Sequence, residues 1–231
     1  MNETNPQTVA QRFNYPYLQP GDGGFSKSLV TAYQPFSPQA EAIRSLRSQL
    51  TLRWLDEEHK QLALVGLGSE ESSSLLAANL AIVFSQLGQR TVLVDANLRN
   101  PRQHELFNLG KRQGLSDLLA GSAGMEAISR IPSFADLSVL PAGTLPPNPQ
   151  ELLGRPAFRL LMRDLATQYD VTLLDTPDGL LYADTQNIVA ATGAALLVIQ
   201  KHHGRMDDAV VLQGQIADAR AQIVGAVLNE F

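Results

Sequence analysis

The stretch LALVGLGSEESSSLLAANLA, Leu62 to Ala81, decides how the rest of the chain is read. An apolar run ends at Gly66, a glycine-containing turn follows, and small residues then open a helical pattern. A strand, a tight turn and a helix N-terminus in that order make a cradle for phosphate, because backbone N–H groups and the positive end of the helix dipole converge on one point. Such a cradle ordinarily carries a lysine that meets the phosphates. Serine stands there in this chain.

The pattern continues outward from this loop. Leu76, Leu80, Val83, Phe84 and Leu87 fall on one helical stripe, and Gly88 sits where a C-cap belongs. Further short apolar runs at 90–95, 137–141, 170–175, 194–200 and 222–228 alternate with helical stretches. Continuous rather than alternating apolar strands belong to a parallel sheet covered on both faces, so the expectation is a doubly wound α/β fold. Ahead of the loop, SPQAEAIRSLRSQLTLRWL from Ser37 has a serine cap, a proline in the first turn and Ile43, Leu46, Leu50 and Trp54 at helical steps. Residues 1–37 are rich in Pro, Gly, Asn and aromatics (Tyr15, Tyr17, Phe25, Tyr33, Phe36), which reads as an extended arm docked on a main body at 38–231.

Bulk composition narrows the function. The chain has 231 residues, a formal charge of -5 and a pI near 5.3, without the clustered Lys and Arg that nucleic acid requires. There is no cysteine, hence no disulfide framework or thiolate metal site, which suits a reducing cytoplasm. The neighbouring His202 and His203 do not share one face of a helix or strand. The N-terminus has no signal-peptide pattern, and no apolar run approaches the ~20 residues of a membrane helix. The expectation is a soluble chain whose membrane role, if any, runs through a partner.

In open parallel sheets ligands sit at the carboxyl ends of strands. Those ends carry the loop Gly66–Ser74, DANLR from Asp95 and DTPDG from Asp175. An acidic residue ending each of two strands suits Mg²⁺ held by carboxylates and phosphate oxygens. The alternative for each aspartate alone is to cap the following turn.

RTVLVDANLRNPRQHELF, LSVLPAGTLPPNPQELLGRPAF, DVTLLDTPD, Asp184 and the closing VGAVLN together resemble the bacterial tyrosine kinases of exopolysaccharide export. The resemblance extends to FNYPYLQPGD and AYQPFSPQAEAIRSLRSQL ahead of the core, and LPAGTLPPNPQELL is its most specific string. It implies a P-loop NTPase-like fold of the partition and division-site ATPase class, with ATP and Mg²⁺ as cofactors. The loop's lysine position falls on Ser73, the glycine before it on Ser72 and the Mg-binding hydroxyl on Ser74, so the nucleotide contacts would be Gly68, Ser69, Glu70, Glu71, Ser72, Ser73, Ser74 and Leu75, with Asn229 against adenine. Asp95, Asn97 and Arg99 match the family's catalytic D-x-D-x-R motif with asparagine at its second acid; Asp175 would hold the metal through water. Glu41, Arg44 and Arg47 match an E-x-x-R-x-x-R pattern of ring assembly; a solvated intrahelical ion pair is the alternative.

The departures shape the functional expectation. Ser73 removes a cation, and Glu70 adds a carboxylate, a like-charge contact of about 4 kcal/mol near 4 Å at an effective dielectric of 20. Serine, Glu70 and Glu71 also make a self-sufficient helix N-terminus. The chain stops at Phe231 with no tyrosine-rich tail, so any phosphotransfer would act elsewhere. The leading expectation is a cytoplasmic family member impaired in nucleotide binding, regulatory or structural, peripheral to the inner membrane. Its expected partners are a membrane chain-length-determinant protein and its own copies or active kinase subunits. The alternatives are an active ATP-dependent tyrosine kinase, with Asp95 as base, and a partition-type positioning ATPase. Lys201, His202, His203 and Arg205 follow a strand end and could approach phosphates, although a polar loop there is commonplace.

Overall fold

The computed structural model describes residues 16–19, 22–68, 70–201 and 206–229. Tyr15, Ser69, His202, His203, Arg205 and Phe231 lie outside them. Among the described residues the strands are β1 (Gln61–Leu67), β2 (Thr91–Asp95), β3 (Ser129–Arg130), β4 (Leu137–Leu140), β5 (Val171–Asp175), β6 (Ala194–Gln200) and β7 (Gln222–Asn229). They form one sheet in the order β3-β4-β2-β5-β1-β6-β7, parallel throughout except for the β3–β4 pair. β3 is a two-residue antiparallel edge, too short to leave a sequence pattern.

The helices are α1 (Val30–Tyr33), α2 (Pro38–Arg53), α3 (Glu70–Ser85), α4 (Gln103–Leu106), α5 (Leu115–Ala120), α6 (Pro149–Leu153), α7 (Pro156–Gln168), α8 (Asp184–Thr192) and α9 (Met206–Asp218). Alternate strand residues feed two separate cores. Leu62, Leu64, Leu93, Leu173 and Leu196 point into one, packed by α2 and α3; Ala63, Val65, Val94, Leu174 and Leu197 point into the other, packed by helices from α5 to α9. This two-sided burial is why the strands read as continuous apolar runs, and it gives the doubly wound α/β fold. None of the helices in the described residues is long and apolar enough to cross a membrane.

Local chemistry sets the helix ends. Ser37 Oγ accepts the Ala40 N–H and Pro38 occupies the first turn of α2. Pro149 likewise starts α6, so the PPNP string serves the helix. Behind α3, Gly88 adopts φ +83, a left-handed conformation that costs glycine least. Of the stripe read for α3, Leu76, Leu80, Val83 and Phe84 are buried, whereas Leu87 lies past the last helical turn and is 56% exposed.

The segment before α2 is tied to α3. Leu29 and Ala32 are fully buried, Thr31 N–H and Oγ1 both donate to Asn79 Oδ1, and Asn79 Nδ2 donates to the Ser28 carbonyl. Gln86 Nε2 reaches the Pro16 and Thr31 carbonyls. Phe25 packs edge-on against Phe107 with centroids 5.8 Å apart, while Phe36 is half exposed. The aromatics thus divide: Phe25 docks, Tyr33 donates its hydroxyl to the Asp22 and Phe25 carbonyls, and Phe36 faces outward.

Candidate functional site

β2 and β5 are neighbours, and their register sets Asp95 directly beside Asp175 at the carboxyl ends. Both side chains are fully buried. Asp95 Oδ2 accepts the N–H groups of Arg102 (3.1 Å) and Gln103 (2.9 Å). Gln103 Nε2 donates to Asp175 Oδ2 at 2.8 Å and to the Ser74 carbonyl at 3.0 Å. Four buried oxygens of these residues make no hydrogen bond of good geometry: Asp95 Oδ1, Asp175 Oδ1, Ser74 Oγ and Gln103 Oε1; the Ser74 hydroxyl lies beside Asp175 and the Asn97 N–H beside Asp95, each favouring the ionised carboxylate. Orphaned buried oxygens are costly, and an all-oxygen donor set is what a hard cation such as Mg²⁺ accepts. The residues therefore fit the metal that the fold implies, although two carboxylates fall short of an all-carboxylate cage.

Electrostatics agree with that fit. Burial, foremost, and then the neighbouring Asp175 charge push Asp95 well above the usual carboxylate range. Burial also pushes Asp175 up to about 7, opposed by its bond from Gln103 and reinforced by the charge of Glu70. Two such carboxylates ionise together only with a positive partner nearby.

The phosphate-loop end of α3 is organised around an acid. Glu70 Oε1 accepts the Asp178 N–H at 3.1 Å, and Oε2 accepts the Asn97 and Asn100 side-chain amides, each at 3.4 Å. Asp178 Oδ2 takes the Gly68 N–H at 3.2 Å. Glu71 pairs with Arg102 at 2.9 Å. Ser73 Oγ turns back onto the Glu70 carbonyl at 2.9 Å, and Ser72 is buried. The two carboxylates of the first α3 turn are thus engaged by donors from the 97–102 segment and from Asp178.

The Asn97 side chain turns away from the aspartate pair, although its backbone N–H faces Asp95. Its Oδ1 accepts the Arg99 and Asn100 N–H groups, closing a local turn, and its amide faces Glu70. Arg99 forms a two-point ion pair with the buried Asp184, at 2.6 and 3.0 Å, and its guanidinium lies 4.3 Å above the Tyr182 ring. Glu41 pairs with Arg44 at 2.9 Å, Arg44 also bonds the Pro35 carbonyl, and Arg47 donates to the Val83 carbonyl at 2.9 Å. Arg44 and Arg47 fasten α2 to its surroundings within this chain, while the exposed Glu41 pairs inside the helix.

Leu75 and Asn229 meet in a cavity of about 230 Å³ that Asn79 and Ile43 also line. A smaller hollow of about 60 Å³ lined by Ser74, Leu75, Glu71 and Arg102 shares Leu75 and Ser28 with it. The two hollows thus lie side by side between Ser74 and Asn229. The sequence reading passed over Gln103, Asp178 and Asn100; a fully buried glutamine among strand-end acids is recognisable only once the chain is folded.

No family model matches the chain. It is 30% identical over 203 residues to the tyrosine-protein kinase YwqD of Bacillus subtilis, covering 88% of this chain and 86% of that relative. It is 31% identical over 203 residues to the tyrosine-protein kinase wzc of Salmonella typhi, covering 88% of this chain and 28% of that longer relative. Among solved structures, the kinase domain of the Escherichia coli tyrosine kinase ETK superposes with a TM-score of 0.83 at 29% identity, over 87% of this chain and 79% of that one. The sheet order, the loop and these likenesses agree on a P-loop NTPase-like fold. The chain belongs to the bacterial tyrosine-protein kinase family.

Proposed function

We propose that this chain is a member of the family impaired in nucleotide binding, acting as a regulatory or structural subunit in exopolysaccharide biosynthesis beside a membrane chain-length-determinant protein. The observation that carries the reading is the Glu70 carboxylate, seated over the phosphate loop and holding the Asp178, Asn97 and Asn100 donors. A triphosphate would have to displace a negative group already bonded there. At about 4 Å and an effective dielectric of 20 the repulsion is about 4 kcal/mol, roughly a thousandfold in affinity. The nearby cations are committed: Arg99 to Asp184, and Arg102 to Glu71 and Glu105.

The orphaned oxygens favour a second reading, an ATP-dependent tyrosine kinase. In it Ser74, Asp95 and Asp175 hold Mg²⁺, which neutralises phosphate charge when bound, and Leu75 and Asn229 border the base. Asp95, high in pKa and close to the metal position, would take the proton of the attacking hydroxyl, and Arg99 would orient the loop that carries Asn97. Under either reading, Glu41, Arg44 and Arg47 serve assembly only through the surface that α2 leaves after its internal bonds.

Isothermal titration with Mg-ATP separates the readings. The parent chain is expected to give no saturable heat at micromolar concentrations, and Glu70→Gly with Ser72→Gly and Ser73→Lys is expected to restore binding. Micromolar binding by the parent refutes the impaired reading. Failure of the triple variant to bind, with its fold intact by circular dichroism, places the defect beyond the loop.

A further inference from the structure

On the far side of the 101–104 segment lies a cavity of about 530 Å³ that the acidic site does not use. It is lined by Pro101 ahead of α4 and His104 within it, by Gly110, Lys111 and Arg112, and by the turn after β4 from Pro141 to Leu145. Among the described lining residues none is acidic, in a chain whose formal charge is -5. Lys111 is exposed, and no carboxylate among the described residues pairs with it or with His104. Arg112 gives one N–H to Ser129 Oγ and retains its other donors. A basic hollow on an acidic protein focuses potential for anions.

One wall is rigid. Asp117 Oδ2 accepts the N–H groups of Gly114 and Thr144, each at 3.0 Å, and Ser116 Oγ donates to the Thr144 carbonyl. Gly143 sits at φ +84, where a Cβ would lie 2.3 Å from Asp117 Oδ2 and 2.6 Å from the Gly114 nitrogen. Thr144 and its neighbours are thereby held in a fixed place at the cavity edge.

We infer that this cavity is a binding site for a phosphate dianion. Lys111 and Arg112 supply two formal positive charges, matching the charge of a phosphomonoester near neutrality, and His104 adds a ring nitrogen that can hydrogen-bond. The volume exceeds that of phosphate alone, and Pro101, Pro141 and Leu145 offer apolar wall to a small organic group attached to it. The site is separate from the α3 N-terminus and does not rest on the reading given for that loop.

Titration of the full chain with phenyl phosphate and with inorganic phosphate, at fixed ionic strength, tests the inference. Saturable binding is expected, weakened at least ~10-fold by Lys111→Glu and less by Lys111→Gln. Tighter binding of phenyl phosphate identifies an organic phosphomonoester as the ligand; equal binding identifies phosphate itself. Absence of saturation by both compounds up to ~10 mM, or affinity that Lys111→Glu leaves unchanged, overturns the inference. Exposed Lys111 makes both variants safe for folding, and circular dichroism verifies it.

Discussion

Replacing Asp175 with asparagine should stabilise the metal-free protein at alkaline pH and leave it unchanged in acid. The folded carboxyl titrates near 7 against an ordinary value of 3.8. Below 3.8 both folded and unfolded chains carry the proton, and the group contributes nothing. Between those values the unfolded chain ionises first, so the folded state loses about 1.4 kcal/mol per pH unit; above 7 the loss is complete, of order 4 kcal/mol. The asparagine side chain would keep an oxygen for the Gln103 amide and present its own N–H₂ to the orphaned oxygen of Asp95. Urea unfolding in EDTA at pH 4, 6 and 8 reads the difference between variant and parent, which cancels the titrating groups that Asp175 does not influence; Asp95, relieved of the neighbouring charge, changes in the same direction. The gain is expected at about 2–4 kcal/mol at pH 8 and below about 0.5 kcal/mol at pH 4. Added Mg²⁺ at pH 8 should stabilise the parent and leave the variant unmoved. A gain independent of pH, or a parent more stable than the variant at pH 8, would refute the argument from buried charge.

Arg99→Ala strands the buried Asp184 carboxylate and should cost about 3–5 kcal/mol in urea unfolding, with Asp184→Asn in the same background recovering part of it. Asn79→Ala removes the acceptor of the Thr31 N–H and Oγ1 and the donor to the Ser28 carbonyl. A loss of about 2–4 kcal/mol is expected, with faster tryptic cleavage after the exposed Lys27 as the direct readout of a loosened segment.

Asp95 and Asp175 were legible because a strand-end acid needs only a periodic apolar run before it to be placed, and parallel pairing does the rest. The sheet was readable for the same reason, apart from β3, whose two residues carry no period. Glu70 was legible as a charge but not as a clamp: its bond to the Asp178 N–H spans 108 positions, and nothing local announces it. Asn97 matched a family acid by position, yet an amide can both accept from Arg99 and donate to Glu70, so its side chain closes a turn of its own and only its backbone N–H stays with Asp95. The seating of Pro16 and Thr31 depends on Asn79 and Gln86, 48 to 70 positions further on, where composition suggests only an irregular stretch.

That seating has a mechanical side. α3 is one continuous sixteen-residue rod whose first turn holds Glu70 and Glu71, while the Pro16 and Thr31 carbonyls grip Gln86 just past its last turn and the Thr31 N–H and Ser28 carbonyl grip Asn79 midway. The leading segment and the acid clamp therefore share one helix, the first fastened at its middle and just past its end, the second seated at its opposite tip.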